Sequence, residues 1–169
     1  MAEKLSIGFL GAGKMATALA RGFIAAGLVK PGHITASDPV EAARTAFAKE
    51  SGAKAVATNS EVVKAANVLL LAVKPDQVAG VLAGIREEFT NKHLLISIAA
   101  GITIAKLEAG LGADARIVRV MPNTPALVGA AASAFALGKA ARSRIENELS
   151  TEAAVRSVEE LYRKMMAPA

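Results

Sequence analysis

Short, fully apolar runs alternate with amphipathic stretches along most of the chain. Leu5–Leu10 is the first run and predicts a buried strand. Met15, Leu19, Gly22, Phe23 and Ala26 then recur at the i, i+4, i+7, i+8, i+11 spacing of one helical face, and Gly27 follows as a C-terminal cap. Ile34–Ala36 predicts a second strand. Pro39 opens a helix at a permitted position, and the helix runs to Ser51 with Gly52 behind it. Ala55–Ala57 predicts a third strand, and Ser60 caps a short helix before Val68–Val73, "VLLLAV", the clearest buried strand of the sequence. A helix over Asp76–Phe89, a strand over Leu94–Ala99, a helix over Thr103–Leu111 and a strand over Arg116–Met121 complete the series, which Pro122 stops. Strands alternating with helices in this way predict a mostly parallel sheet covered by helices on both faces.

The pattern changes after Pro125. Ala132–Leu137 predicts an edge strand. Ile145, Leu149, Val155, Val158, Leu161, Tyr162 and Met165 form an apolar stripe on one or two terminal helices, with a cap or short break at Ser150-Thr151. The chain therefore divides into an α/β domain over residues 1–141 and a helical extension over 142–169. The extension packs on its own domain or on a second copy of the chain.

Composition narrows the class. Apolar residues make up 53% and aromatics only 4% of the 169 residues, so the core is built from Ala, Val, Ile and Leu, as in an α/β protein rather than a sandwich. The net charge of +5 is scattered, with no basic block, and there are few rings to stack on bases, which argues against nucleic-acid binding. No run approaches the ~18 apolar residues of a membrane span, and no signal peptide is evident. The absence of cysteine removes disulfides and thiolate chemistry and fits a cytoplasmic setting. His33 and His93 each precede a strand, so they belong to the opposite edge of the sheet from any ligand and are expected at the surface. No metal site is expected.

The candidate chemistry begins at Gly11-Ala12-Gly13-Lys14-Met15-Ala16, a G-x-G-x-x-A pattern between the first strand and the first helix. In a dinucleotide site the first glycine makes the tight turn. The second lets the backbone approach a pyrophosphate, and the alanine allows close packing of helix on strand. The helix N-terminus adds N–H donors and the positive end of its dipole. The other reading is a plain tight turn. The second strand ends in Ser37-Asp38-Pro39. An acidic residue there accepts hydrogen bonds from both ribose hydroxyls and favours NAD. Asp38 lies 25 positions beyond Gly13, because "LVKPGH" lengthens the connection. Ser37 could instead donate to a 2′-phosphate, with Arg44 or Lys14 as a nearby charge. Both Ser37 and Asp38 could equally cap the following helix. NAD and NADP stay open at this point.

Three further loops share that edge. Val73-Lys74-Pro75 follows the fourth strand, where Lys74 faces a cofactor or solvent. Ala99-Ala100-Gly101 follows the fifth, where small residues admit a flat ring or simply turn. Met121-Pro122-Asn123-Thr124-Pro125 follows the sixth, where two prolines stiffen a loop that presents Asn123 and Thr124.

Taken together, "IGFLGAGKMATALARGF", "ITASDP", "LLLAVKP", "ISIAAGIT" and "VRVMPNTPALVGAAASAFALG" resemble, in order and spacing, the N-terminal domain of the pyrroline-5-carboxylate reductases over residues 5 to 138. The resemblance implies a Rossmann-type, doubly wound α/β fold. It implies hydride transfer from NADP(H), with NAD(H) also admitted, to the C=N bond of a small imine, 1-pyrroline-5-carboxylate, giving proline. It implies cofactor contacts at Gly11, Ala12, Gly13, Lys14 and Met15. Ser37 is the residue carried over for the 2′-phosphate, Asp38 resembles a more variable neighbour, and Asn59 resembles an asparagine near the adenosine. Ala72, Val73, Lys74 and Pro75 resemble the nicotinamide-side loop, joined by Ala99, Ala100 and Gly101, and Asn123 lies in the loop that faces the reaction centre. The family continues with a helical domain, built around a "SGSGPAY"-like segment, that dimerises and holds the substrate. No such segment is present here, and "RSRIENEL" looks like an addition before the terminal helix. The expectation is a cofactor domain that is weakly active or inactive by itself; the alternatives are a related NADP-dependent reductase, such as a β-hydroxyacid dehydrogenase or an F420-dependent NADP reductase, and a non-catalytic nucleotide-binding module.

Overall fold

The computed structural model describes residues 5–122 and 133–137. Twelve helices and strands are named here. They are β1 (Ile7–Leu10), α1 (Lys14–Ala25), β2 (Ile34–Ser37), α2 (Glu41–Ser51), β3 (Lys54–Val56), α3 (Asn59–Ala65), β4 (Val68–Leu71), α4 (Val78–Ile85), β5 (Leu94–Ser97), α5 (Ile104–Leu111), β6 (Arg116–Pro122) and β7 (Ser133–Leu137). The sheet order is β3-β2-β1-β4-β5-β6-β7. The pairings from β3 to β6 are parallel, and β7 joins β6 antiparallel as the edge strand. This is the doubly wound order of a dinucleotide-binding sheet, with its topological switch between β1 and β4.

Each face of the sheet carries its own core. Leu10, Leu69, Leu71, Leu95 and Ile117 point to one side, against Val62, Leu82 and Leu107 of α3, α4 and α5. Ile7, Phe9, Ile34 and Leu70 point to the other, against Ala16, Ala20 and Phe23 of α1 and Phe47 of α2. Phe9 stacks on Phe23 with ring centroids 6.2 Å apart and meets Phe47 at 5.9 Å. The Ala-rich face of α1 sits low on the strands because Ala16 and Ala20 are fully buried. On the opposite side a Cβ at Gly8 would stand 2.5 Å from Val62 Cγ1, so α3 also packs onto bare backbone.

Several element boundaries differ from the sequence pattern, each for a local reason. The helix after β2 begins at Glu41, not Pro39, because Asp38 Oδ1 accepts from Val40 N at 2.9 Å and holds Asp38-Pro39-Val40 as a turn. Thr58, not Ser60, caps α3: its hydroxyl accepts from Glu61 N and donates to Glu61 Oε1 at 2.7 Å. Ser60 lies inside the helix and donates to Glu88 Oε1 at 2.7 Å. The span Asp76–Phe89 resolves into a single 3-10 turn at Pro75–Gln77 followed by the shorter α4. Thr103 caps α5 rather than starting it. Gly27 adopts φ +68° directly after α1 and closes it, with Leu28 N on Phe23 O at 3.0 Å. The expectations for Asn123 and for the helical extension 142–169 lie outside the described residues.

Candidate dinucleotide site

The carboxyl ends of β1, β2, β4 and β5 converge on one edge of the sheet, and backbone hydrogen bonds lock their exits together. Gly11 N donates to Ser37 O at 2.9 Å, Ala72 N to Leu10 O at 2.9 Å, Asp38 N to Val56 O at 3.2 Å and Ile98 N to Leu71 O at 3.2 Å. The glycine loop, Ser37-Asp38, the Ala72–Pro75 turn and the Ala99–Gly101 turn thus form one cluster. His33 and His93 lie at the opposite edge. Both are half-buried rather than at the surface. The His93 Nδ1 accepts from Thr90 N at 2.9 Å, which leaves Nε2 to donate to Val63 O at 3.2 Å.

The two glycines differ in kind. Gly11 has φ +103°, and a Cβ there would lie 2.8 Å from Ala72 O and 3.0 Å from Val73 Cγ1. The close approach of β1 and β4 therefore requires it. Gly13 sits at φ −74° and ψ −178°, a conformation open to any residue. A Cβ at Gly13 would meet no protein atom within 4 Å. Neither backbone strain nor packing inside the described protein demands a glycine here, and the space is what a pyrophosphate cradle needs. Gly13 is also the N-cap of α1, and no side chain caps this 12-residue helix. Its first N–H groups and the positive end of its dipole face that space. Lys14 is exposed beside it and Met15 half-exposed.

The β2 end is arranged less simply. Ser37 is 1% exposed. Its hydroxyl lies 2.6 Å from Asn59 Oδ1 and 3.3 Å from Phe9 O, and the single proton goes to the shorter contact. This bond joins β2 to the first residue of α3 and turns the Asn59 amide toward the β1–β2 exit. Asp38 is half-buried, and its Oδ2 accepts from Ala12 N of the glycine loop at 3.1 Å. Arg44 reaches back from α2, with Nη1 donating to the carbonyls of Asp38 at 2.8 Å and Pro39 at 3.0 Å. The Ser37–Asn59 and Asp38–Ala12 contacts escaped the sequence reading. They join residues 22 and 26 positions apart, and no pattern along the chain marks them.

Lys74 and Pro75 are exposed behind β4, whereas Ala72 and Val73 are half-buried against the glycine loop. Ala99 is buried, Ala100 is exposed, and Gly101 turns the chain at φ +70°. A cavity of about 390 Å³ opens next to that turn, lined by Gly101, Ile102, Thr103, Ile104 and Arg119. No described helix is long and apolar enough to cross a membrane.

Comparisons with known proteins agree with this geometry. Residues 6–101 match the family described as NADP oxidoreductase, coenzyme F420-dependent. A pyrroline-5-carboxylate reductase from Methanosarcina acetivorans is 43% identical over 137 residues, which is 81% of this chain and 51% of that protein. The solved pyrroline-5-carboxylate reductase from Coxiella burnetii superimposes with a TM-score of 0.81 at 28% identity, over 97% of this chain and 57% of that one. The Plasmodium falciparum pyrroline carboxylate reductase, solved with NADP bound, gives a TM-score of 0.76 at 31% identity over 96% of this chain and 56% of that one. The chain thus spans about half the length of the relatives it matches.

Proposed function

We propose, for a chain that belongs to the family of NADP, coenzyme F420-dependent oxidoreductases, that it is the cofactor-holding part of a pyrroline-5-carboxylate reductase. The observation that carries this reading is Gly13, a glycine with room for a side chain, at the mouth of an uncapped helix and at the switch point of a doubly wound sheet. NADP(H), with NAD(H) as the alternative, lies across that mouth. Gly11, Ala12, Gly13, Lys14 and Met15 hold the pyrophosphate. Ser37, Asp38 and Asn59 surround the adenosine ribose. Ala72, Val73, Lys74 and Pro75, with Ala99, Ala100 and Gly101, flank the nicotinamide, and Asn123 faces the imine. When bound, the nicotinamide supplies a hydride to the C=N bond of 1-pyrroline-5-carboxylate. The protein's part is to fix position and electrostatics. The helix dipole and the Lys14 ammonium offset the pyrophosphate charge, and the Ala72–Val73 turn, held on the glycine loop, fixes where the ring sits.

Residues 1–141 form the dinucleotide-binding unit in this proposal, and 142–169 a helical extension that packs on it or on a second copy. The protein is placed in the cytoplasm, which a cysteine-free sequence fits. The substrate is a small imine, and neither a nucleic acid nor a membrane is a partner. The test is a fluorescence titration of the purified chain with NADPH and NADH, followed by addition of 1-pyrroline-5-carboxylate. Dinucleotide binding with turnover far below that of the two-domain relatives is expected. Binding of neither nucleotide overturns the reading, and turnover equal to a two-domain enzyme overturns the view that this part is insufficient alone.

A further inference from the structure

We infer that the apolar stripe of residues 145–166 seats on its own chain, against the part of the sheet that α1 and α2 leave half-covered. The seat is Ile96 on β5 with Val118 and Val120 on β6, and a stripe seated there is closed to a second copy.

The two faces of the sheet are covered unequally. On the face of α3, α4 and α5, the register aligns Leu69, Leu95 and Ile117 across β4, β5 and β6, and all three are fully buried. On the other face the aligned row is Phe9, Leu70, Ile96 and Val118. Phe9 and Leu70 are buried in the core that α1 and α2 make, whereas Ile96 and Val118 are only half-buried, as is Val120 beyond them. Among the described helices, two supply this face and three the other. Parallel strands occur with both faces covered, because their crossovers place helices on each side. The cover still wanted over β5 and β6 is one helix with an apolar face. The sequence after β7 holds such a stripe: Val155, Val158, Leu161, Tyr162 and Met165 recur every three or four residues, and Arg156 and Glu160 fall on the opposite side. The distances suit a seat on the same chain. β7 ends at Leu137, paired with Val118 of the seat. Residues 138–144, when extended, reach about 23 Å, and β5 lies two strand spacings of about 4.8 Å from β7. As a helix, residues 152–166 would run about 22 Å, close to the length of the seven-residue β6. So short a tether holds the stripe near its seat at an effective concentration of about millimolar, which a second copy in dilute solution does not match. β5 leads to the Ala99–Gly101 turn and β6 to Asn123, so the seated stripe braces the strands behind the nicotinamide side of the proposed site. That bracing role alone rests on the dinucleotide reading.

The chain has no cysteine, so introduced pairs report on position without background. Val118→Cys, on the seat, is combined in turn with Val155→Cys, Val158→Cys, Leu161→Cys and Tyr162→Cys on the stripe, and with Arg156→Cys and Glu160→Cys on its far side. Each full-length double variant is oxidised in dilute solution, its disulfide is located by mass spectrometry, and circular dichroism follows its fold. Ile96→Cys takes the place of Val118→Cys if the latter variants fold poorly. A disulfide forms only where two Cβ atoms come within about 4.5 Å, so facing pairs bridge and averted pairs do not. The expected result is a bridge within one chain from at least one stripe position, formed about tenfold faster or more than from Arg156→Cys or Glu160→Cys. Bridges between two copies, equal bridging from both sides of the stripe, or no bridge from any stripe position in folded variants would each overturn the inference. No nucleotide enters the measurement, so its failure and the failure of the dinucleotide reading are told apart.

Discussion

At Gly11 the chain itself excludes a side chain. The left-handed backbone at φ +103° and the Ala72 carbonyl 2.8 Å from the would-be Cβ act together. Gly11→Ala is therefore expected to destabilise the fold by about 2–4 kcal/mol, from backbone strain plus overpacking. Urea unfolding checks this, and a loss below about 0.5 kcal/mol, the ordinary range for a surface change, would contradict the reason given. Gly13 carries no such constraint. The spacing G-x-G-x-x-A gives the turn to Gly11 and the pyrophosphate approach to Gly13, but it could not show that Ala72 and Val73, about 60 residues downstream and just behind β4, close the space around Gly11. Ser37 and Asp38 were legible as a pair at the right strand end. Their partners were not, since Asn59 and Ala12 lie across the fold.

Helix and strand ends are set by short polar contacts. Thr58 caps α3 and leaves Ser60 free to reach Glu88, which also pairs with Lys64 at 3.3 Å. The Ser60 hydrogen bond, with a smaller contribution from Lys64, holds the Glu88 carboxyl below its ordinary 4.5, and partial desolvation works the other way. A carboxyl whose value is lower in the folded state gives stability that is present above its unfolded value and disappears as pH falls through the folded one. Ser60→Ala should therefore lower the unfolding midpoint at pH 7, and the gap from the wild type should close below the carboxylate range. A gap of constant size from pH 7 to pH 3 would contradict this. Apolar periodicity located the described strands and helices. It misplaced Pro39 and Ser60 as helix starts because the Asp38 carboxylate holds Asp38-Pro39-Val40 as a turn ahead of α2, and Thr58, two positions before Ser60, caps α3. Helix α4 is shorter than its pattern at both ends: Pro75 starts a separate 3-10 turn before it, and after Ile85 the chain turns, with Glu88 N and Phe89 N both on the Ile85 carbonyl.

On the scale of the whole molecule, the parallel order β3-β2-β1-β4-β5-β6 gathers the described candidate loops on one edge and leaves both histidines on the other. That separation was readable from alternation alone, since consecutive parallel strands must all exit on the same side. The antiparallel β7 also matches the apolar run at 132–137. In the function proposed, the space beside Gly13 admits a pyrophosphate. Gly13→Val tests it most directly, because the extended backbone at this position tolerates a branched residue and the cost to the helix cap is only about 1 kcal/mol. The measurement is a dinucleotide titration of Gly13→Val beside the wild type, with unfolding curves for each. The variant is expected to fold, with its affinity for NADH and NADPH lowered at least a hundredfold. A folded variant that binds either nucleotide as the wild type does would show that Gly11-Ala12-Gly13 is only a turn.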